Sequence, residues 1–360
     1  NKNCVSDIIH ISKQKNKSDF MNILVTGGAG FIGSNFIYYE LENYPDDKII
    51  CLDKLTYAGN LSNLDNAFKN GNFKFYKGDI CDEKCVESIF NDEKIDIVVN
   101  FAAESHVDRS ISEPTVFFKT NVIGVQTLLE VCKKYGVKRF HQISTDEVYG
   151  ELPLDRKDLL FTEKTTLSAS SPYSASKASA DLLVLSYFRT FGLPVTVSRC
   201  SNNYGPYQFP EKLIPLVILR AMKDEQIPIY SKGENVRDWI FVKDHCIAVD
   251  SIIRYGTSGE IYNIGANNEM SNLEIVNLIL KQLKKPKSLI SFVKDRPGHD
   301  LRYAINSSKI EHELGWCAET DFLTGLKKTV EWYIENEKWI NSIITEDYIN
   351  YFDKMYSEKF

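Results

Sequence analysis

A chain of 360 residues has room for about two domains of ordinary size, and its 43% hydrophobic content suffices for a sizeable core. A formal charge of −6 argues against a general nucleic-acid-binding surface, so an anionic ligand would have to be met by local arginines and lysines. No apolar run nears the roughly 18 residues of a membrane span. The eight cysteines are scattered, and several (Cys51, Cys132, Cys200) fall in apparent strands or helices; they read as buried free thiols of a reducing, cytoplasmic setting. Cys81 and Cys85 stand four apart, but no histidine or cysteine cluster completes a zinc site, and no metal is expected.

Residues 1–20 are polar and dotted with lysine. Ile8, Ile9 and Ile11 are too few for a signal-peptide core, and the absence of arginine speaks against a transit peptide. The segment reads as a disordered extension ahead of Met21.

The chain is organised around residues 22–33. Ile23, Leu24 and Val25 make a short buried strand, and Gly27, Gly30 and Gly33 turn it into a helix. Glycines spaced in this way allow a tight turn, a close approach of backbone to a pyrophosphate, and tight packing of helix on strand. The helix N-terminus then points unpaired N–H groups at the phosphates. Residues 49–53 form a second buried strand ending in Asp53, a carboxylate about 20 residues past the last glycine, where a ribose hydroxyl is bound. Asp53 would repel a 2′-phosphate, which favours NAD over NADP.

Residues 73–78 read as a strand leading to Asp79 and Ile80. Residues 95–103 read as another, nearly continuous and apolar, as in a parallel strand covered on both faces. Helical spacing runs over 116–135, with Gly136 as a C-terminal stop, and a strand follows at 138–144. A polar loop spans 151–171. Residues 173–191 are helical up to Gly192 and Pro194, and 195–199 make a sixth strand. This alternation predicts an α/β fold, a doubly wound parallel sheet with right-handed crossovers, and ligands at the carboxyl ends of its strands. Beyond about residue 201 the elements shorten between loops rich in Pro, Gly, Asn and Tyr. The expected division is a nucleotide-binding domain over 21–200 and a smaller C-terminal domain over 201–360, with segments such as 244–255 packing back on the first.

Two constellations carry chemistry. Tyr173 and Lys177 are four apart, on one helical face. A lysine ammonium beside a phenol favours phenolate, which can take a hydroxyl proton while hydride leaves the same carbon. Thr145, Asp146 and Glu147 follow a strand directly, at the carboxyl edge of the sheet. Two carboxylates beside a hydroxyl suit a reaction needing both a proton donor and a proton acceptor. Alone, the first would read as a surface pair and the second as a helix cap; the glycine turn upstream alters that balance.

From Met21 onward the sequence resembles the extended short-chain dehydrogenase/reductase family, and within it the enzymes that dehydrate nucleotide sugars. The resemblance rests on residues 26–33, 53–60, 102–110, Thr145-Asp146-Glu147, 199–206, 210–215, Arg237-Asp238-Trp239 and 295–300. It implies a Rossmann-type sheet with a substrate-binding C-terminal domain, NAD as cofactor and dTDP-glucose as substrate. The implied cofactor residues are Gly27, Gly30, Phe31, Ile32, Gly33, Asp53, Lys54, Leu55, Thr56, Asp79, Ile80, Phe101, Ala102, Ala103, Ser105, Thr120, Tyr173, Lys177 and Asn203. The implied substrate residues are Ser105, Thr145, Asn202, Lys212, Leu213, Pro228, Tyr230, Arg237, Asn272, Arg296 and His299. Arg237 and Arg296 are the natural forks for a diphosphate, while Pro228 and Tyr230 frame the base, with Tyr230 stacking on it.

The resemblance also implies roles. Tyr173, assisted by Lys177 and Thr145, oxidises the hydroxyl at carbon 4; Glu147 removes the proton at carbon 5; Asp146 protonates the departing hydroxyl at carbon 6. Relatives pair the helices around 116–135 and 173–191 into a homodimer, for which Leu182, Leu183, Leu185, Tyr187 and Phe188 offer apolar surface. Another family member, an epimerase or a decarboxylase, would share the cofactor site and Tyr173/Lys177 but has no use for Asp146-Glu147. A non-catalytic NAD-sensing regulator would need neither constellation. Thymine and uracil are not distinguished by these residues.

Overall fold

The computed structural model describes residues 20–344; the expectation of a disordered extension falls, except for Phe20, outside the described residues. The strands are β1 (Asn22–Thr26), β2 (Lys48–Asp53), β3 (Phe73–Lys77), β4 (Ile97–Asn100), β5 (Arg139–Thr145), β6 (Val195–Cys200), β7 (Asn202–Tyr204), β8 (Ile227–Tyr230), β9 (Val236–Phe241), β10 (Ile261–Ile264), β11 (Glu269–Ser271) and β12 (Ile290–Val293). Seven of them form one parallel sheet in the order β10-β6-β5-β4-β1-β2-β3. The chain winds from β1 outward to β3, then returns to the other side of β1 at β4. The crevice between β1 and β4 is therefore the topological switch point, where such sheets bind ligands.

Each central strand is buried on both faces. Ile23 and Val25 of β1 join Phe36, Ile37, Val249 and Ile252 in one core, while Leu24 joins Leu128, Leu129 and Val184 in the other. The two-residue period of a strand thus divides an unbroken apolar run between two helical layers. The helix Val242–Tyr255 packs on the helix Phe31–Asn43, where buried Arg254 pairs with Glu40 and Asp47. A third core, built around Tyr204, Ile218, Trp239, Ile275 and Leu326, lies under β8, β9 and the helix Leu213–Met222.

Two elements differ from the sequence reading. β4 ends at Asn100, because the next residues leave the sheet to pass over the glycine turn. Phe101 donates its N–H to the Thr26 carbonyl at 3.0 Å, and a Cβ on Gly27 would lie 2.6 Å from the Ala102 nitrogen. The helix of 116–135 is composite, with α-helical Pro114–Phe118 and Val125–Tyr135 joined through a π-helical turn, Lys119–Gly124. Gly136 closes it at φ +68°, and Gly192 closes the helix Pro172–Phe191 at φ +70°. Leu182 is exposed, Tyr187 is buried in the chain's own core, and Leu183, Leu185 and Phe188 are half-buried against that core.

The start of the helix Phe31–Asn43 depends on Gly33, where a Cβ would sit 2.4 Å from the Gly27 carbonyl oxygen. Gly33→Ala is expected to destabilise the fold by about 1–3 kcal/mol through overpacking, read as a lower urea midpoint with an unchanged slope.

Candidate active site

A cavity of about 490 Å³ opens at the carboxyl ends of β1, β4, β5 and β6. At one end stand Gly27, Gly30, Phe31, Ile32, Gly33, Asp53, Lys54, Thr56, Asp79 and Ile80; Phe101, Ala102, Ala103, Ser105, Thr120 and Asn203 continue its wall. Thr145, Asp146, Glu147, Tyr173 and Lys177 close the other end. Of the expected cofactor residues only Leu55 is not in the wall. Its side chain packs against the core, and its N–H donates to Asp53 Oδ1 at 2.7 Å, at a left-handed φ of +58°. Asp53 Oδ2 accepts the Ala29 N–H at 2.9 Å. The carboxylate is thus fixed by two backbone donors, with lone pairs left for hydroxyl groups. Together with the glycine turn, whose Gly27, Gly30 and Gly33 line the cavity without side chains to keep a ligand from the backbone, this fits a dinucleotide. Among the described residues no group of three or more His, Cys, Asp or Glu is placed to hold a metal ion.

Thr145 ends β5 and caps the short turn Asp146–Tyr149. Its hydroxyl accepts the Glu147 N–H at 3.3 Å, donates to Asp146 Oδ1 at 3.3 Å, and hydrogen-bonds the Tyr173 phenol. Asp146 is almost wholly buried, and its Oδ2 has no partner. Burial first, then the charges of Glu147 and Asp238, push its pKa well above the ordinary carboxylate value. Burial also raises Glu147, but Arg296, Lys212 and Arg237 pull it back toward the charged form. The two adjacent carboxylates thus differ in their surroundings: like charges add to the burial of Asp146 and favour its protonated form, while three cations oppose the burial of Glu147 and favour its role as the base.

The expectation that Lys177 lowers the Tyr173 pKa is corrected. Burial and the charge of Glu147 push the phenol well above its ordinary value. Lys177 instead donates Nζ to the Ile143 carbonyl at 2.6 Å, and burial lowers its own pKa. Same-face spacing on the helix Pro172–Phe191 brings both residues to the cleft without pairing ammonium and phenolate.

Among the expected substrate residues, Ser105, Thr145, Asn202 and Lys212 line the cavity, and Lys212 Nζ donates to the Ser105 carbonyl at 2.8 Å. Leu213, Pro228, Tyr230, Arg237, Asn272, Arg296 and His299 lie outside its walls. Leu213 packs on the third core, Pro228 is buried in β8, and Asn272 opens the helix Asn272–Gln282 with its N–H on the Asn235 carbonyl. Arg237 is not an open fork: Nη1 donates to the Val236 carbonyl at 2.8 Å and Nη2 to the Asp300 carbonyl at 2.9 Å, with the guanidinium over the Tyr303 ring.

Tyr230, Arg296 and His299 do meet, at Asp108, a residue to which the sequence reading gave no role. The Tyr230 hydroxyl donates to Asp108 Oδ2 at 2.6 Å, Arg296 Nε lies 3.2 Å from Oδ1, and the His299 ring stands edge-on to Tyr230. Burial lowers the His299 pKa to about 4, and Arg296 Nη1 is buried without a partner. Asp108 falls within residues 102–110, a matched stretch, but only the tertiary contact gives it this role.

Asp146 yields a prediction whose sign follows from its raised pKa. The stability it contributes is complete below its unfolded value and fades as pH climbs through the folded value. Asp146→Asn is therefore expected to gain thermal stability over the native protein as pH rises from about 4 to about 8. Melting curves across that range check it; a constant difference would contradict the assignment.

A family model described as GDP-mannose 4,6 dehydratase matches residues 24–329. The chain is 48% identical over 354 residues to a dTDP-glucose 4,6-dehydratase of Escherichia coli, covering 91% of this chain and 98% of that one. A crystal structure of dTDP-glucose 4,6-dehydratase from Bacillus anthracis in complex with NAD superposes with a TM-score of 0.84 at 50% identity, over 90% of this chain and 99% of that one. A UDP-glucose 4-epimerase of Thermotoga maritima, solved with UDP-glucose, gives a TM-score of 0.81 at 33% identity, over 88% and 100%. Both the glycine cradle and the Thr145–Glu147 turn lie inside the matched span, and a match of that length places the chain in the GDP-mannose 4,6 dehydratase family.

Proposed function

We propose that this protein is an NAD-dependent dTDP-glucose 4,6-dehydratase, a hydro-lyase converting dTDP-glucose to dTDP-4-keto-6-deoxyglucose and water. One observation carries the reading: Thr145, Asp146 and Glu147 share a cleft with Tyr173 and Lys177, and its far end is a dinucleotide cradle. The relatives of nearly half identity bear the same activity in their names. The epimerase reading is weaker, because inversion at carbon 4 has no use for the Asp146-Glu147 pair as acid and base at carbons 5 and 6.

Bound in the cradle, held by Asp53 and the turn from Gly27 to Gly33, NAD supplies hydride-transfer chemistry and a positive charge. Tyr173 takes the proton from the carbon-4 hydroxyl as the phenolate that the cofactor's positive charge, together with the Lys177 ammonium, would favour once the cleft is filled, with Thr145 hydrogen-bonded to the phenol. A ketone at carbon 4 acidifies the hydrogen at carbon 5, and Glu147 removes it as a base. Asp146 gives its proton to the hydroxyl leaving carbon 6, so one water is lost; the hydride that left carbon 4 would return to carbon 6 of the resulting enone while Glu147 gives its proton back to carbon 5, so that oxidation and reduction cancel and the cofactor would end as it began. Arg296, aligned by Asp108, is the open cation for the diphosphate, and Tyr230 is the aromatic platform for the base. A comparison of dTDP-, UDP- and GDP-glucose, read by the ultraviolet absorbance of a 4-keto sugar in alkali, tests substrate and activity together. Product from none of them would refute the reading.

The working form is a homodimer. Val116, Phe118 and Ile123 lie exposed on one helical stretch and Leu182 and Phe191 on the next, which favours a second copy over these helices. Free cysteines and a nucleotide-sugar substrate favour the cytoplasm. Among the described residues no helix is long and apolar enough to cross a membrane.

Glu147→Gln is expected to slow elimination by about 10²–10⁴-fold while cofactor content stays unchanged. In heavy water the native product gains deuterium at carbon 5 but not at carbon 6, and mass spectrometry with NMR reads both. For the dimer, Ile123→Asp with Leu182→Asp is expected to halve the mass seen in sedimentation.

A further inference from the structure

Behind the cleft, one helical turn from Lys177, lies a buried charge that the chemistry above does not use. Lys177 is 4% exposed, and burial works against its ammonium. One turn further along the helix Pro172–Phe191 lies Asp181, fully buried. Positions 173, 177 and 181 share one face of the helix. Asp181 Oδ2 accepts Arg199 Nε at 2.8 Å, and Arg199 Nη1 donates to the Tyr149 hydroxyl at 3.0 Å. Tyr149 in turn donates to Asn263 Oδ1 at 2.7 Å. The chain of contacts ties the catalytic helix to β6, to the turn after β5 and to β10.

The groups acting on Lys177 are Asp181 on its own helix and the Cys200 thiol on β6. Those acting on Asp181 are Arg199 on β6, the Ser144 hydroxyl on β5, and Lys177 itself. Burial pushes the Cys200 thiol up to about 12, so that thiol is neutral. Burial pushes the Asp181 carboxyl up, and the Arg199 guanidinium at 2.8 Å pulls it back toward the charged form, which makes the Arg199-paired Asp181 the counter-charge on this side of the ammonium. A buried ion pair is weak as a source of stability, whereas a fixed anion beside a desolvated lysine has a direct effect on that lysine's proton.

We propose that Asp181, anchored by Arg199, is a positioning residue that keeps Lys177 protonated for the oxidation step. This rests on Tyr173 and Lys177 carrying that step. Loss of the carboxylate lets burial act unopposed, so Lys177 gives up its proton at lower pH and oxidation fails earlier on the alkaline side.

The test uses the full chain in a Glu147→Gln background, where the reaction stops after oxidation and absorbance at about 340 nm reports it free of the Asp146 and Glu147 steps. Adding Asp181→Asn is expected to move the alkaline limb of that rate down by about 1–3 pH units, the range for one nearby charge. Asp181→Glu is expected to restore it. The Lys177 titration itself, followed without substrate by competitive acetylation and mass spectrometry of its peptide, is expected to move by the same amount. If Asp181→Asn does not fold because Arg199 is stranded, Asp181→Asn with Arg199→Met removes both charges and is expected to show the same shift. An unshifted Lys177 titration, or a rate lowered equally at every pH, overturns the proposal. A background enzyme that shows no oxidation with any nucleotide-glucose instead counts against the dehydratase reading, and the acetylation titration still decides the role of Asp181.

Discussion

Three backbone segments lie closer together at the switch point of the sheet than side chains permit, and the rest of the cleft follows from that approach. Gly27 sits under Ala102 and against Gly33, with room for no Cβ at either contact. This forces β4 to end early, throws residues 101–106 over the turn, and brings the helix N-terminus to the crevice. Glu104 is then clamped at both N–H and carbonyl by the Asn121 side chain, at 2.9 and 3.0 Å. Asn121 lies within the π-helical turn, so the widened helix and the shortened strand answer one constraint. Irregular helical turns of this kind are frequent at functional sites.

The chemistry at the other end depends on unequal compensation of a shared burial. Asp146, Glu147, Tyr173 and Lys177 all lose solvation, which drives each toward its neutral form. What separates them is the sign of their neighbours. Asp146 faces further carboxylates, Glu147 faces three cations, and Lys177 has a carboxylate behind it. Acid, base and cation can therefore coexist within one small turn and one helical face.

The sheet was largely legible because doubly buried strands are apolar without interruption, and glycines mark where the chain must turn. The cleft's residues were legible for a related reason: backbone geometry makes strand ends and helix starts converge. Less legible was anything decided by tertiary partners. Nothing in the sequence around Arg237 shows that carbonyls from Val236 and Asp300 will occupy its guanidinium. The π turn leaves no mark in residue periodicity, and the pairing of β10 with β6 is a non-local event that a four-residue strand does not announce. Tyr187 reads as spare apolar surface by count, yet its position on the helix turns it inward.

Asp108 sits on the short helix Val107–Ser112, directly after the segment that crosses the glycine turn. Its carboxylate holds Tyr230 and Arg296, which belong to elements remote in sequence, while Glu104 and Arg109 secure the helix on the cofactor side. The two halves of the cleft are thus joined through one rigid strut rather than through the cavity. A ligand group that engaged Arg296 would therefore bear on Asp108, and through it on the helix that Glu104 and Arg109 secure.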